Sequence, residues 1–466
     1  MLFSSIVFLF YFLPVVLLLY LAAPRKLKNL ALLVCSLVFY AWGEPKYVLL
    51  MTVSIVIGYV CGIQIEKHRG GLAGKVWMAL SVVFSLGFLF YFKYVDFFLD
   101  SFSKATGLSI KLLGIALPIG ISFYTFQMLS YTIDVYRGQV KAQRNLLNLA
   151  TYIAMFPQLI AGPIVRYSDI EHSLTERAHT VERTALGIRR FTLGLGKKVI
   201  IANSLGELCN VLVEPQAASV VSYWAYAVTA ALFIYFDFSG YSDMAIGLGR
   251  IFGFEFPENF NYPFLSGSMT EFWRRWHMTL GGWFRDYLYI PLGGSRVSKV
   301  RQFVNIFIVW LATGLWHGAA WNYVIWGLYF AVLLILEKFW LKDFLDKHRI
   351  AGRVYFLVLV LFSFVIFHAD NVSLAGSMLA GMFGAGGVNF VTSYSLYCLR
   401  NYAVILVVAV FGATPLAARA FAKLQKNKTG AAVCSVAEPI GLALIFIVAT
   451  AFLVNGSYNP FLYFRF

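Results

Sequence analysis

Long apolar runs separated by short basic segments set the pattern of this chain. A bilayer crossing needs about 20 mostly apolar residues. Such runs predict helices over 2–23, 30–42, 47–65, 76–92, 112–136, 221–240, 303–314, 321–336, 354–367, 402–418 and 440–454. Several are short, which implies tilted helices or a locally thinned bilayer. Two further stretches depart from the pattern. Residues 146–165 contain Pro157, Gly162 and Pro163, which predicts a broken or re-entrant segment. Residues 186–212 mix Arg189, Arg190, Lys197 and Lys198 with apolar positions, which predicts a helix that lies at the interface before crossing. The expected fold is an all-α integral membrane protein of roughly 11–12 transmembrane helices with re-entrant segments, in a single polytopic domain over residues 1–466.

Composition strengthens this picture. Hydrophobic residues make up 60% of the chain and charged residues 13%, with mean hydropathy +0.73. A soluble domain carries about 25% charge, so a water-soluble globule is excluded. The apolar start lacks a basic leader and continues into further apolar segments, so it is expected to be a first span rather than a cleaved signal. The five cysteines are scattered without a CxxC pair, so neither a disulfide framework nor a metal site is expected.

The net charge of +16 could suggest nucleic acid, but its distribution fits membrane topology. Place the N-terminus outside and let 186–212 cross once. All 38 Lys and Arg then fall on the cytoplasmic side except Lys46, Lys93, Lys104, Lys111, Arg400 and Arg465. Both termini are therefore expected outside, with membrane lipids as surroundings and no nucleic-acid partner.

The chemistry concentrates in residues 255–327. Aromatic, Gly and Pro residues are interrupted there by Arg274, Arg275, His277, Arg285 and Asp286. Such a segment suits neither a lipid-facing helix nor an ordinary loop, and is expected to be buried in protein. His317 follows in an apolar double span, flanked by Trp316, Trp321, Gly314, Gly318, Ala319 and Ala320. An ionisable group at membrane depth is a functional candidate, and imidazole suits general-base work near neutrality. The alternative is a structural histidine with one cross-helix hydrogen bond. His277 could position a donor, or be an interfacial residue in a charged, solvated turn. Arg274, Arg275 and Arg285 could hold phosphates of a nucleotide-linked donor, or simply mark the cytoplasmic side. Asp237 and Asp243 could form a proton relay, but satisfying helix ends or pairing with Arg is the expected role. Trp321 or Asn322 could donate to a developing oxyanion.

The strings FDFSGYSDMAIGLG (236–249), NFNYPFLSGSMTEFWRRWHMTLGGWFRDYLYIPLGGSR (259–296) and TGLWHGAAWNYVIWG (313–327) carry a resemblance. Together with VFYAWGEPKY (38–47) and NPFLYFRF (459–466), the sequence resembles the membrane-bound O-acyltransferase superfamily, in particular its bacterial alginate O-acetylase type. The resemblance implies a ring of tilted helices around a thinned centre with a funnel or tunnel. It implies His317 as the catalytic histidine and His277 as its supporting partner. It implies no bound cofactor, a thioester donor such as acetyl-CoA or an acyl carrier, and a hydroxyl acceptor across the membrane. Periplasmic or extracellular acetyltransferase proteins would complete modification of a polysaccharide, with this chain in the bacterial cytoplasmic membrane. Tyr463, in the aromatic tail, would be an acyl relay or an interfacial anchor. Two other functions compete: transfer of D-alanyl or a longer acyl group, and lipid or polysaccharide transport.

Overall fold

The structure, a computed structural model, describes residues 1–456. Tyr463 lies outside the described residues. Within them every regular element is a helix, apart from an isolated parallel bridge between Ser219 and Asn389. Hydrocarbon cannot satisfy backbone polar groups, so apolar runs of this length close their hydrogen bonds internally as helices.

Seven helices among the described residues are long and apolar enough to cross a membrane: Arg25–Gly43, Tyr47–Lys67, Leu72–Lys93, Val220–Ile251, Trp321–Lys347, Arg349–His368 and Lys428–Val454. The pair Ser393–Asn401 and Ala403–Gly412, bent by 58°, makes an eighth if counted as one broken span. The difference from the larger number expected has a local cause. Lys299–His317 has the length of a span, but Lys299, Arg301, Gln302, Asn305 and His317 lower its apolarity. The helices also differ in surroundings. In Val220–Ile251, 67% of the apolar window is buried, against 6% in Lys428–Val454. The first is packed within protein, and the second presents its side chains outward.

The chain divides into two compact units. The first comprises 1–188 and 244–257. Here Tyr47–Lys67 packs closely on Ile121–Arg137, because Gly58 and Gly62 leave room for Met128 and Tyr131. The span predicted over 112–136 is corrected. Residues 107–118 have no regular structure, and the helix starts at Ile121. Gly107, Gly114 and Gly120 adopt positive φ, Pro118 intervenes, and Asp96 accepts from the backbone N–H of Leu113 (2.8 Å) and Ile115 (3.2 Å). Local carboxylate capping outcompetes helix continuation. Residues 146–165 are broken as expected, into Leu146–Ala154, Phe156–Leu159 and irregular backbone, nearly all buried.

The second unit comprises 189–243 and 258–466. Six of its helices frame the site: α1 Val220–Ile251 (whose last turns belong to the first unit), α2 Met269–Trp273, α3 Met278–Phe284, α4 Lys299–His317, α5 Trp321–Leu336 and α6 Arg349–His368. Phe272, Trp276, Trp326, Phe330, Phe356 and Phe364 join them in one apolar core. The short helix α2 needs anchoring to hold its place there. Ser268 Oγ accepts from Glu271 N at 3.1 Å. Buried Glu337 accepts from Met269 N (2.6 Å), Thr270 N (2.9 Å) and Thr270 Oγ1 (2.7 Å). A carboxylate satisfies the free N–H groups that open a helix and complements its dipole. Glu337→Leu would orphan these donors. Thermal unfolding of the detergent-solubilised protein should show a loss of about 1–3 kcal/mol.

Candidate active site

His317 is the last residue of α4, and its side chain is 5% exposed. The helix ends there because Gly318 turns to extended backbone (φ −176°, ψ 153°), and α5 begins at Trp321. The resulting hairpin is tight. A Cβ added to Gly314 would lie 2.5 Å from the carbonyl oxygen of Tyr323, and one added to Gly327 would collide with the carbonyl oxygen of Trp310. Backbone cannot yield as a flexible side chain can, so Gly314→Ala must push the two helices apart. Misplacing a reacting group by about 1 Å can cost on the order of 100-fold. The variant is expected to reach the membrane normally and lose transfer by at least tenfold (~10²-fold as the upper figure), as read by acyl transfer per unit of membrane protein.

The His317 ring sits edge-on to Trp316 (5.0 Å between centroids), Trp326 (5.0 Å) and Phe367 (5.3 Å). It opens on a pocket lined mainly by Phe238, Phe272, Trp276, Phe330 and Ser363. The pocket is narrow. Its cavity volume is about 20 Å³, room for a single water. Apolar aromatic walls lower the local dielectric and strengthen any electrostatic interaction with a reacting group inside.

His277 caps α3 with positive φ (42°), a conformation uncommon outside glycine, and its side chain is 1% exposed. The solvated-turn alternative is therefore overturned: the surrounding Phe238 and Trp316 rings, at 4.7 and 5.8 Å, enclose the imidazole. Nδ1 of His277 lies 3.0 Å from Asn259 Oδ1. Trp316 contacts both imidazoles.

The other candidates separate. Trp316 is buried beside both histidines, whereas Trp321 is 55% exposed and does not line the pocket. Asn322 is buried and donates from Nδ2 to Ala369 O (3.0 Å). Arg275 pairs with Glu271 (2.9 Å) and donates to Asn261 O (3.3 Å), and Arg285 pairs with Asp286 (2.7 Å). Arg274 is exposed. The arginines thus do not converge on the His317 pocket, whose lining contains none of them.

Asp243 pairs with arginine as expected, whereas the partner of Asp237 is a lysine. Asp243 binds Arg190 (2.6 Å) and Lys197 (2.7 Å), and Arg190 also binds Glu258 (2.6 Å). Asp237 binds Lys198 at 2.5 Å, and both side chains are fully buried. The interfacial placement expected for Lys198 is corrected. The helical stretch 181–212 continues through a π-helical turn, Lys197–Ala202, that carries Lys198 into the core. Sequence pattern alone places Lys198 at the interface and does not single out Asn259 or Glu337. The signal for Lys198 was its place in the apolar run KKVIIA; for Asn259 it was a lone amide among aromatics in NFNYPF.

A profile of the membrane-bound O-acyltransferase family matches residues 142–379, which include the helix carrying His317 and the segment carrying His277. The probable alginate O-acetylase of Azotobacter vinelandii is 40% identical over the whole of both chains. The chain belongs to the membrane-bound O-acyltransferase family. Two other relatives broaden the comparison. The peptidoglycan O-acetyltransferase of Helicobacter pylori is 33% identical over 84% of this chain and 81% of its own. The teichoic acid D-alanyltransferase of Bacillus subtilis is 33% identical over 48% of this chain and 60% of its own. As a family member the protein is a multi-pass membrane O-acyltransferase, and the transport reading loses its basis.

Proposed function

We propose that this O-acyltransferase takes acetyl from a cytoplasmic thioester, acetyl-CoA or a charged carrier, and delivers it for O-acetylation of an extracytoplasmic polysaccharide. The observation that carries the reading is His317 at the wall of a narrow, mostly aromatic pocket. A hydroxyl oxygen attacks the thioester carbonyl carbon while imidazole nitrogen of His317 takes the hydroxyl proton. The tetrahedral intermediate collapses, the C–S bond breaks, and the departing thiolate receives that proton from the imidazolium. Ester and free thiol result, and His317 returns to its neutral form.

Two considerations favour acetyl. Relatives similar over most or all of this chain are O-acetyltransferases by name, whereas the D-alanyl relative matches about half of it. The pocket beside His317 also suits a two-carbon group better than a long chain. An extracytoplasmic polymer such as alginate is the acceptor class that the alginate-type relatives support. The charge distribution supports an inner-membrane chain with both termini outside, and periplasmic acetyltransferases as partners fit an acceptor there. Purified protein should release thiol from acetyl-CoA in the presence of a hydroxyl acceptor. Octanoyl-CoA should give less than about a tenth of that rate, since mismatch in a rigid pocket exceeds the ~1.4 kcal/mol that a tenfold change represents. Equal rates would overturn the acetyl assignment.

A further inference from the structure

The amide of Asn259 is held from four directions. Its Oδ1 faces His277 Nδ1 (3.0 Å), Thr279 Oγ1 (2.9 Å) and the backbone N–H of Thr279 (3.3 Å). Its Nδ2 donates to Ser242 Oγ (3.1 Å). Its backbone carbonyl accepts from Met278 N (3.0 Å), the residue after His277. Asn259 and Ser242 are both buried, at 1% exposure each.

These contacts decide a question that atom positions alone leave open. A side-chain amide can be turned over, exchanging its oxygen and nitrogen. Here the backbone N–H of Thr279 can only donate, so the atom facing it is the oxygen. An amide oxygen can only accept, so His277 Nδ1 must carry a proton. His277 Nε2 is buried with no hydrogen-bond partner among the described residues. A second proton there would leave a buried, unsatisfied charged donor, which is strongly disfavoured. His277 is therefore neutral, with its lone pair on Nε2.

We infer that Asn259 is a positioning residue that locks His277 in the Nδ1–H tautomer, so that Nε2 is left as the proton-accepting nitrogen of a ring that shares the Trp316 contact with His317. The left-handed backbone at His277 serves the same end: Asn259 holds the backbone that follows the ring and the ring itself. Rotating the imidazole to use Nδ1 as the acceptor would break the bond to Asn259. The inference deepens the acyl-transfer reading and rests on it for the role of Nε2, while the tautomer itself stands on hydrogen bonding alone.

The test combines a spectroscopic and a catalytic readout on the full chain. Solid-state NMR of protein labelled with ¹⁵N-histidine, in lipid bilayers, reports which ring nitrogen is protonated, and His277→Gln assigns the resonance. Wild type should show Nδ1 protonated and Nε2 bare. Asn259→Leu should lose that signature and reduce ester-linked acetyl on surface polysaccharide by at least about tenfold, within the range of general acid–base contributions. Asn259→Asp keeps an acceptor for Nδ1, and the Ser242 hydroxyl can turn to donate to the carboxylate. It should retain the signature and most of the transfer. A proton on Nε2 in wild type would overturn the inference, as would an Asn259→Leu protein that keeps both tautomer and activity, or an Asn259→Asp protein as impaired as Asn259→Leu despite the wild-type tautomer. A correct tautomer alongside a fully active His317→Ala protein would instead remove His317 as the base of the proposed reaction and leave the positioning of His277 intact.

Discussion

His317→Ala should lower ester-linked acetyl on surface polysaccharide by about 10²–10⁴-fold at matched membrane abundance, the range that a positioned general base supplies. The expectation rests on what else is present. Among the described residues no carboxylate lines the pocket, and the Ser363 hydroxyl in its wall donates to Val360 O at 2.6 Å. The aromatic walls offer no base. His277, enclosed next to Phe238 and Trp316, is the candidate substitute, so the double variant His317→Ala/His277→Gln should remove whatever transfer remains. His317→Gln separates the two explanations for any loss. It keeps a hydrogen-bonding side chain of similar reach but cannot accept a proton, so a structural histidine would tolerate it and a base would not. Transfer within twofold of wild type in His317→Gln would mean that the proton goes elsewhere (a twofold change is only ~0.4 kcal/mol of barrier).

The second large effect concerns stability. Lys198 and Asp237 form a 2.5 Å pair with neither side chain exposed, and Lys198 Nζ also donates to Asn203 Oδ1 at 3.1 Å. Removing one partner leaves an uncompensated buried charge, which costs about 3–5 kcal/mol. Replacing both by apolar residues of similar volume removes the charge and the need to desolvate it. Asp237→Leu alone should therefore lower the unfolding midpoint of the purified protein sharply, and Lys198→Met/Asp237→Leu should recover most of the loss. Equal destabilisation in single and double variants would show that the pair is not coupled. The pair also bears on the site: Phe238, the next residue along α1, packs on the His277 ring and lines the His317 pocket. The Asp237→Leu protein that does fold should therefore transfer poorly, and the double variant better.

The membrane class, the helical architecture and the importance of 255–327 were legible in the sequence because each follows from local composition. An apolar run of about 20 residues has one inexpensive structure in lipid, and a histidine inside such a run stands out by its desolvation cost alone. His317 was visible for that reason. The same reasoning misjudged 112–136, where hydropathy registers apolar residues but not the positive-φ glycines and the Asp96 cap that keep 107–118 irregular. It also misjudged Lys198, because charge next to an apolar run usually snorkels to the interface, and its partners Asp237, on another helix, and Asn203 make burial tolerable.

Hydrophobic patterning by itself determined that this chain lies in a membrane, that it is helical, and where its one intramembrane histidine with small neighbours sits. The tertiary structure decided which polar groups meet. The contacts from Asn259 to His277 and Ser242, from Glu337 to α2, and from Lys198 to Asp237 join residues 18, 17, 68 and 39 positions apart, respectively. Burial costs and apolar period are properties of a local window, and a sequence displays them directly. Hydrogen-bond and ion-pair partners are set by which helices pack face to face, and that depends on the whole unit at once.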